Sequence, residues 1–159
     1  MLFLLFQVGP DRYAIEATRV VEVVPLLELQ PLLQASRGVA GLFNYRGRPV
    51  PAVDLAAITL GRPASDLLST RIIVLNYPDD SGAQRRIGVI AEHATGLLRA
   101  ETSDFMDPGL KRGASPPLGP MLMDRKGPIQ WVQEQRWLPH EVSVPLLSEF
   151  AAKDHQWSE

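Results

Sequence analysis

Catalysis or metal binding would have to start from the histidines, serines and carboxylates, and few of these stand in a working pattern. His93, His140 and His155 are far apart, no pair has ligand spacing, and the chain contains no cysteine to complete a zinc site. They read as structural or surface histidines. The serines are scattered, none occupies a Gly-x-Ser-x-Gly elbow, and none has a histidine at a hydrolase-like spacing. Glu16, Glu22, Asp54 and Glu92 could pair as acid and base, but each falls on an alternating strand position that a solvated outer face explains. Gly113 to Gly119 is broken by prolines and follows no strand, so it does not form a phosphate loop. The inventory reads as a non-enzyme with no catalytic residue, metal or cofactor.

Function then lies in surfaces, and Arg46 is the sharpest candidate. It sits between Gly41-Leu-Phe-Asn-Tyr45 and Arg48-Pro-Val-Pro-Ala-Val-Asp-Leu55, two apolar runs joined by Arg46-Gly47. That arrangement is a β-hairpin with a cation at its tip. Gly47 supplies the positive φ of a tight turn, while Pro49 and Pro51 hold the outgoing strand extended and suggest a sheet edge. Asn44, an amide between Phe43 and Tyr45, either faces solvent or braces the turn backbone. Arg46 and Asn44 together could make one polar recognition point.

The elements around this hairpin repeat. Tyr13 to Val24 lies over Ile87 to Leu98 without a gap, matching Tyr13 with Ile87, Ile15 with Val89, Val23 with Leu97 and Val24 with Leu98. Each copy follows an apolar strand and a turn, Phe3 to Val8 with Gly9-Pro10-Asp11 and Arg71 to Tyr77 with Pro78 to Gln84. The hairpin returns as Gly119 to Val132 once one turn residue is inserted, setting Pro49 on Pro128 and Val53 on Val132. Two copies of short strands with turn signals predict two small all-β barrels, because an α/β sheet would need helices between strands.

The 159 residues fit one domain of two intertwined barrels over 1–145, roughly 10–68 and 69–145, followed by a C-terminal helix or tail at 146–159. Leu146, Leu147, Phe150 and Ala151 share one face of that tail helix. Proline-bearing segments Pro25 to Arg37 and Pro108 to Pro120 read as loops or helical turns over barrel ends, and Ile58 to Leu68 as the link between units. A formal charge of −2 spread along the chain and an aromatic content of 7% argue against nucleic acid. Met1 to Phe6 lacks a basic n-region and meets a turn at once, so it reads as a buried strand, not a targeting segment. With the absence of cysteine this gives a cytoplasmic protein without direct membrane insertion.

Taken in order, Phe3-Leu-Leu-Phe6 with Tyr13-Ala-Ile15, Val20-Val-Glu-Val23, Val39 to Leu55, and Arg71-Ile-Ile-Val74 with Ile87-Gly-Val-Ile90 resemble the CheW-like coupling proteins of bacterial chemotaxis-type signalling. The specific block is Gly-x-x-Asn-x-Arg-Gly-x-x-x-Pro-x-x-Asp-Leu. The resemblance implies two five-stranded SH3-like barrels around separate cores, with short helical connections. It also implies a non-enzymatic scaffold that couples the cytoplasmic tips of methyl-accepting chemoreceptors to the regulatory domain of a CheA-type histidine kinase, recruited to receptor arrays through those partners. By position, Val20, Glu22, Gly41 and Arg46 would face the receptor, and Asn44, Gly47 and Asp54 would shape the hairpin. Gly96 replaces an acidic residue common in the family, Glu92-His93 replaces an Asp-Gly pair, and Ile129 to Gln135 replaces a Leu-Leu-Asp run. These departures point to a pathway other than flagellar chemotaxis. The rival reading is a small-ligand-binding double barrel with a regulatory role.

Overall fold

The computed structural model describes residues 1–33, 38–107, 119–133, 137, 138 and 142. Nine strands follow in chain order: β1 (Leu2–Val8), β2 (Asp11–Glu16), β3 (Val20–Pro25), β4 (Val39–Tyr45), β5 (Arg48–Asp54), β6 (Arg71–Pro78), β7 (Gln84–Arg99), β8 (Met121–Asp124) and β9 (Gly127–Trp131). A short helix, α1 (Leu55–Leu60), follows β5, capped by the Asp54 carboxylate at one end and by left-handed Gly61 at the other. Among the described residues no helix is long and apolar enough to cross a membrane.

The strands form two groups that share β7. Its first half pairs antiparallel with β6 and, at Gly88 to Ile90, parallel with β5; β3 and β4 complete that group. Its second half pairs with β1, and β2, β9 and β8 complete the other. Five strands on each side are consistent with the expected small barrels. β3 pairs with β6 and β5 with β7 across residues 68 and 69. The groups interleave along the chain. His93 takes φ 49° where β7 passes from one group to the other, and the β1 to β7 register shifts between Leu5 and Gln7 at the same place.

Pairing follows the internal repeat residue by residue. Ala14 opposes Trp131 in one group and Gly88 opposes Ala52 in the other, and these two pairs are equivalent when Tyr13 is set on Ile87 and Pro49 on Pro128. Val23 opposes Ile73 just as its counterpart Leu97 opposes Leu4. Each copy of the repeat therefore sends its third strand to the other copy's opening hairpin.

Burial on both faces explains why β6 reads as a continuous apolar run. Ile72 and Val74 enter the core of their own group, with Phe43, Tyr45 and Val50, while Ile73, Leu75 and Tyr77 face the opposite way. There they meet Leu4, Phe6, Val8 and Ile15 from the other group, together with Leu138 and Val142. A third core holds Phe3, Phe105 and Trp131, with ring centroids 4.9 to 5.2 Å apart. The separate cores implied by the family resemblance, one around Phe43 and Val50 and one around Phe3 and Trp131, are thus joined by the cluster of Ile73, Leu75 and Tyr77 with Leu4, Phe6 and Ile15, which both groups share.

Two expectations change. β5 is not an edge strand, since Ala52 to Asp54 lie between β4 and β7; only its proline-bearing half is paired on one side. Glu92 and Asp54 are not on a solvated face. Both are buried and tether the segment after α1: Asp54 accepts from the amides of Ala56, Ala57 and Ala64, and Glu92 accepts from the Ser65 amide and from Arg62 at 3.1 Å. Burial pushes the Glu92 carboxyl up, but its bonds to Arg62 and Ser65 outweigh that and hold it below the usual range. The proposed tail helix at 146–159 lies outside the described residues.

Arg12 on β2 makes a two-bond contact with Asp124 at the end of β8, 2.6 and 2.8 Å, which fixes the β8–β9 hairpin on its group. Hydrogen bonding from Arg12 is the main cause holding the Asp124 carboxyl at about 2 instead of 3.8. A carboxyl depressed on folding contributes stability above its unfolded value and loses it as pH falls through its folded value. Between about pH 4 and pH 2, Asp124→Asn should lose stability less steeply than the unmodified chain in chemical-denaturation titrations, and parallel curves would refute the assignment. Asp54→Ala should lower unfolding free energy by about 1 to 3 kcal/mol through loss of the cap and the tether, read from urea unfolding.

Candidate functional site

The turn between β4 and β5 has two residues, Arg46 and Gly47, with Tyr45 and Arg48 paired across its base. Arg46 takes φ 51° and Gly47 φ 82°, the two positive values of a type I′ hairpin, whose twist matches that of the strands it joins. Asn44 braces the turn, its side-chain oxygen accepting from the Gly47 amide at 2.9 Å. Of the two roles open to Asn44, bracing the backbone is the one the structure displays.

Tyr45 is the centre of the site. Its ring is buried at the end of the core formed by Phe43, Val50, Ile72, Val74 and Ile90, and its hydroxyl donates to the Glu22 carboxylate on β3 at 2.5 Å. Arg46 reaches the same carboxylate oxygen at 3.4 Å and lies over the Tyr45 ring, 5.3 Å from its centroid. Arg86, from β7, lies 5.5 Å from that centroid. Both distances suit a cation over an aromatic face. β3 ends the strand order and β4 pairs in the sheet with β5 alone, so the Glu22 to Tyr45 bond links two terminal strands of this group through side chains.

The hydrogen bond to Glu22, followed by burial, raises the Tyr45 hydroxyl above its ordinary range, because ionisation would set a phenolate against a carboxylate. Arg46 is mostly exposed, at 70% of its side-chain surface, and Glu22 is 43% exposed. The pair is open to solvent and worth little to stability. What it offers is a charged, hydrogen-bonding point beside a half-buried apolar strand.

The other positions expected at the site fall around it. Val20 begins β3, half-buried against the shared core and opposite Leu75. Gly41 is buried: its φ is 148°, and a Cβ there would meet the Gln30 carbonyl oxygen at 2.5 Å. The backbone bonds Gln30 to Leu42, 2.8 and 2.9 Å, require that close approach, so Gly41 lets the segment after β3 lie on β4. Asp54 ends β5 away from the turn and acts on α1 and on Ala64. The structure therefore gathers Glu22 and Arg46 at one point, with Asn44 and Gly47 beneath it, and assigns Gly41 and Asp54 to the framework. Tyr45 and Arg86 were missed. Tyr45 reads in sequence as one more core residue, and nothing along the chain places Arg86 beside the hairpin.

The CheW-like domain family model matches residues 2–126. The chain belongs to the CheW-like family. Over 96 residues it is 27% identical to the chemotaxis protein CheW of Klebsiella aerogenes, covering 60% of this chain and 55% of that protein. Over 107 residues it is 25% identical to the chemotaxis protein CheW of Treponema pallidum, covering 65% and 60%. The chain thus spans between half and two thirds of the length of these curated relatives. The scaffolding protein TtCheW of Thermoanaerobacter tengcongensis has the same fold, with a TM-score of 0.65 over 83% of each chain at 15% identity. In this CheW-like chain the residues around Tyr45 are held by three elements, β3, the β4–β5 hairpin and β7.

Replacing Glu22 by Gln removes the carboxylate that holds the Tyr45 proton. In carbon-13 tyrosine NMR the Tyr45 titration should move down toward 10.0, while Tyr13, whose hydroxyl is raised chiefly by burial, should stay in place. An unmoved Tyr45 would show that Glu22 is not the cause.

Proposed function

We propose that this chain is a non-enzymatic cytoplasmic scaffold that couples the cytoplasmic tips of methyl-accepting chemoreceptors to the regulatory domain of a CheA-type histidine kinase. The observation that carries the reading is the Glu22–Tyr45–Arg46 cluster: a fixed, solvent-facing guanidinium and carboxylate on the rim of a half-buried apolar strand. A receptor tip is a helical hairpin, and a helix docks by laying an apolar face along an apolar trough with a few polar anchors. Val21 and Val24 of β3, half-buried against the same core as Tyr45, support an apolar surface beside Glu22 and Arg46, while Val20 and Val23 pack on the side of the shared core. Family membership and the scaffold named in the structural relative support the same reading.

Within this proposal Val20, Glu22 and Arg46 touch the receptor, and Gly41 contributes by letting the backbone after β3 close over β4. Asn44 and Gly47 hold the turn in shape, while Asp54 fixes the connection that follows. Signal transfer is a shift in the populations of a shared assembly, with affinities set by a few anchors. Gly96, Glu92 and His93 depart from the family pattern around the crossover of β7, and they support an output other than flagellar motility.

Co-sedimentation with a purified receptor cytoplasmic fragment and the kinase of the same organism tests this directly. Ternary binding is expected, and Arg46→Ala should weaken receptor binding by about 1 to 3 kcal/mol with the fold intact. Receptor binding without kinase would remove the coupling role, and binding to neither would turn the search to small ligands through their effect on thermal unfolding.

A further inference from the structure

Arg86 stands at the same point as Arg46 but arrives from a different part of the chain. It belongs to β7, opposite Asn76 on β6, is exposed, and places its guanidinium 5.5 Å from the Tyr45 ring centroid. Several other arginines of the molecule are matched: Arg12 with Asp124, Arg46 with Glu22, Arg62 with Glu92 and Arg85 with Asp79. Arg86, the neighbour of Arg85, makes no ion pair among the described residues. Among the described residues the carboxylate near Tyr45 is that of Glu22, which already accepts from the Tyr45 hydroxyl and from Arg46. Arg48, exposed and opposite Tyr45 in the ladder, adds a third guanidinium to this end of the strand group.

Among the described residues cations therefore outnumber carboxylates at the rim, and the second of them is held over an aromatic face. Contact with a ring restricts a long side chain before any partner arrives, so less rotamer freedom is lost on binding. A guanidinium so placed is suited to a carboxylate that comes in two-bond geometry.

We propose that Arg86 is a second partner-binding anchor, which together with Arg46 at the Tyr45 ring receives an acidic side chain on the helical tip of the receptor. This rests on the receptor-binding reading above and deepens it. Glu22 would orient Arg46, leaving Arg86 as the cation open to the incoming carboxylate, while the apolar face of the helix lies along β3.

The test is titration calorimetry with a soluble receptor cytoplasmic fragment from the same organism, at low and high salt, using the unmodified chain, Arg86→Ala and Arg86→Met. Met retains an apolar stem over Tyr45, so it serves if the alanine variant unfolds; thermal melts establish which variants are folded. Either folded variant should bind about tenfold more weakly at low salt, with the gap closing at high salt. Neutralising the acidic residues of the fragment tip one at a time should reveal one whose loss weakens the unmodified chain but not the Arg86 variant. Equal affinity of variant and unmodified chain at both salts overturns the role of Arg86 and leaves receptor binding standing. No binding by the unmodified chain overturns both.

Discussion

A single strand holds the molecule together. β7 gives its first eight residues, Gln84 to Ala91, to β6 and part of that run to β5, then turns through Glu92 and His93 and pairs with β1 as far as Arg99. Because backbone hydrogen bonds run along both halves, neither strand group can be completed without the other. The shared core adds the same constraint through packing, since Ile73, Leu75, Ile87 and Val89 from one side lie against Leu4, Phe6 and Ile15 from the other. Two cores that could have been independent become one cooperative unit.

The crossover in β7 also governs what lies around it. Its residues Glu92 and His93 fall where the first copy of the repeat breaks into a separate turn at Ala17–Arg19. Here the strand continues, and the buried Glu92 carboxylate instead collects the segment after α1 through Arg62 and Ser65. The Glu92-His93 pair is therefore tied to a local structural task. A buried carboxylate is tolerated because charged and backbone donors meet it.

At the other end of β7 the same strand delivers Arg86 to Tyr45. There the terminal strands β3 and β4 are linked by the Tyr45 hydroxyl and Glu22. Polar atoms of three elements meet over one aromatic ring, and the ring itself belongs to the core below. Packing thus sets the position of the charges, and a rigid interior supports an exposed recognition point.

Sequence alone determined the alternation of the strands, the hairpin at Arg46-Gly47, the internal repeat with its residue-level equivalences, and the family. These are local or periodic features, written in side-chain type and spacing. It left open where the copies exchange strands, and so the edge position of β5 failed. It also read Asp54 and Glu92 as solvated, because alternation marks the face of a strand but not what will cover it. Arg86 and Tyr45 became part of the site only through pairing over long separations: Arg86 is far from Glu22 and Arg46 in sequence, and β7, β5 and the side-chain closure of β3 on β4 bring them together. Residue order states which groups are available; the ladder of hydrogen bonds and the shared core decide which of them meet.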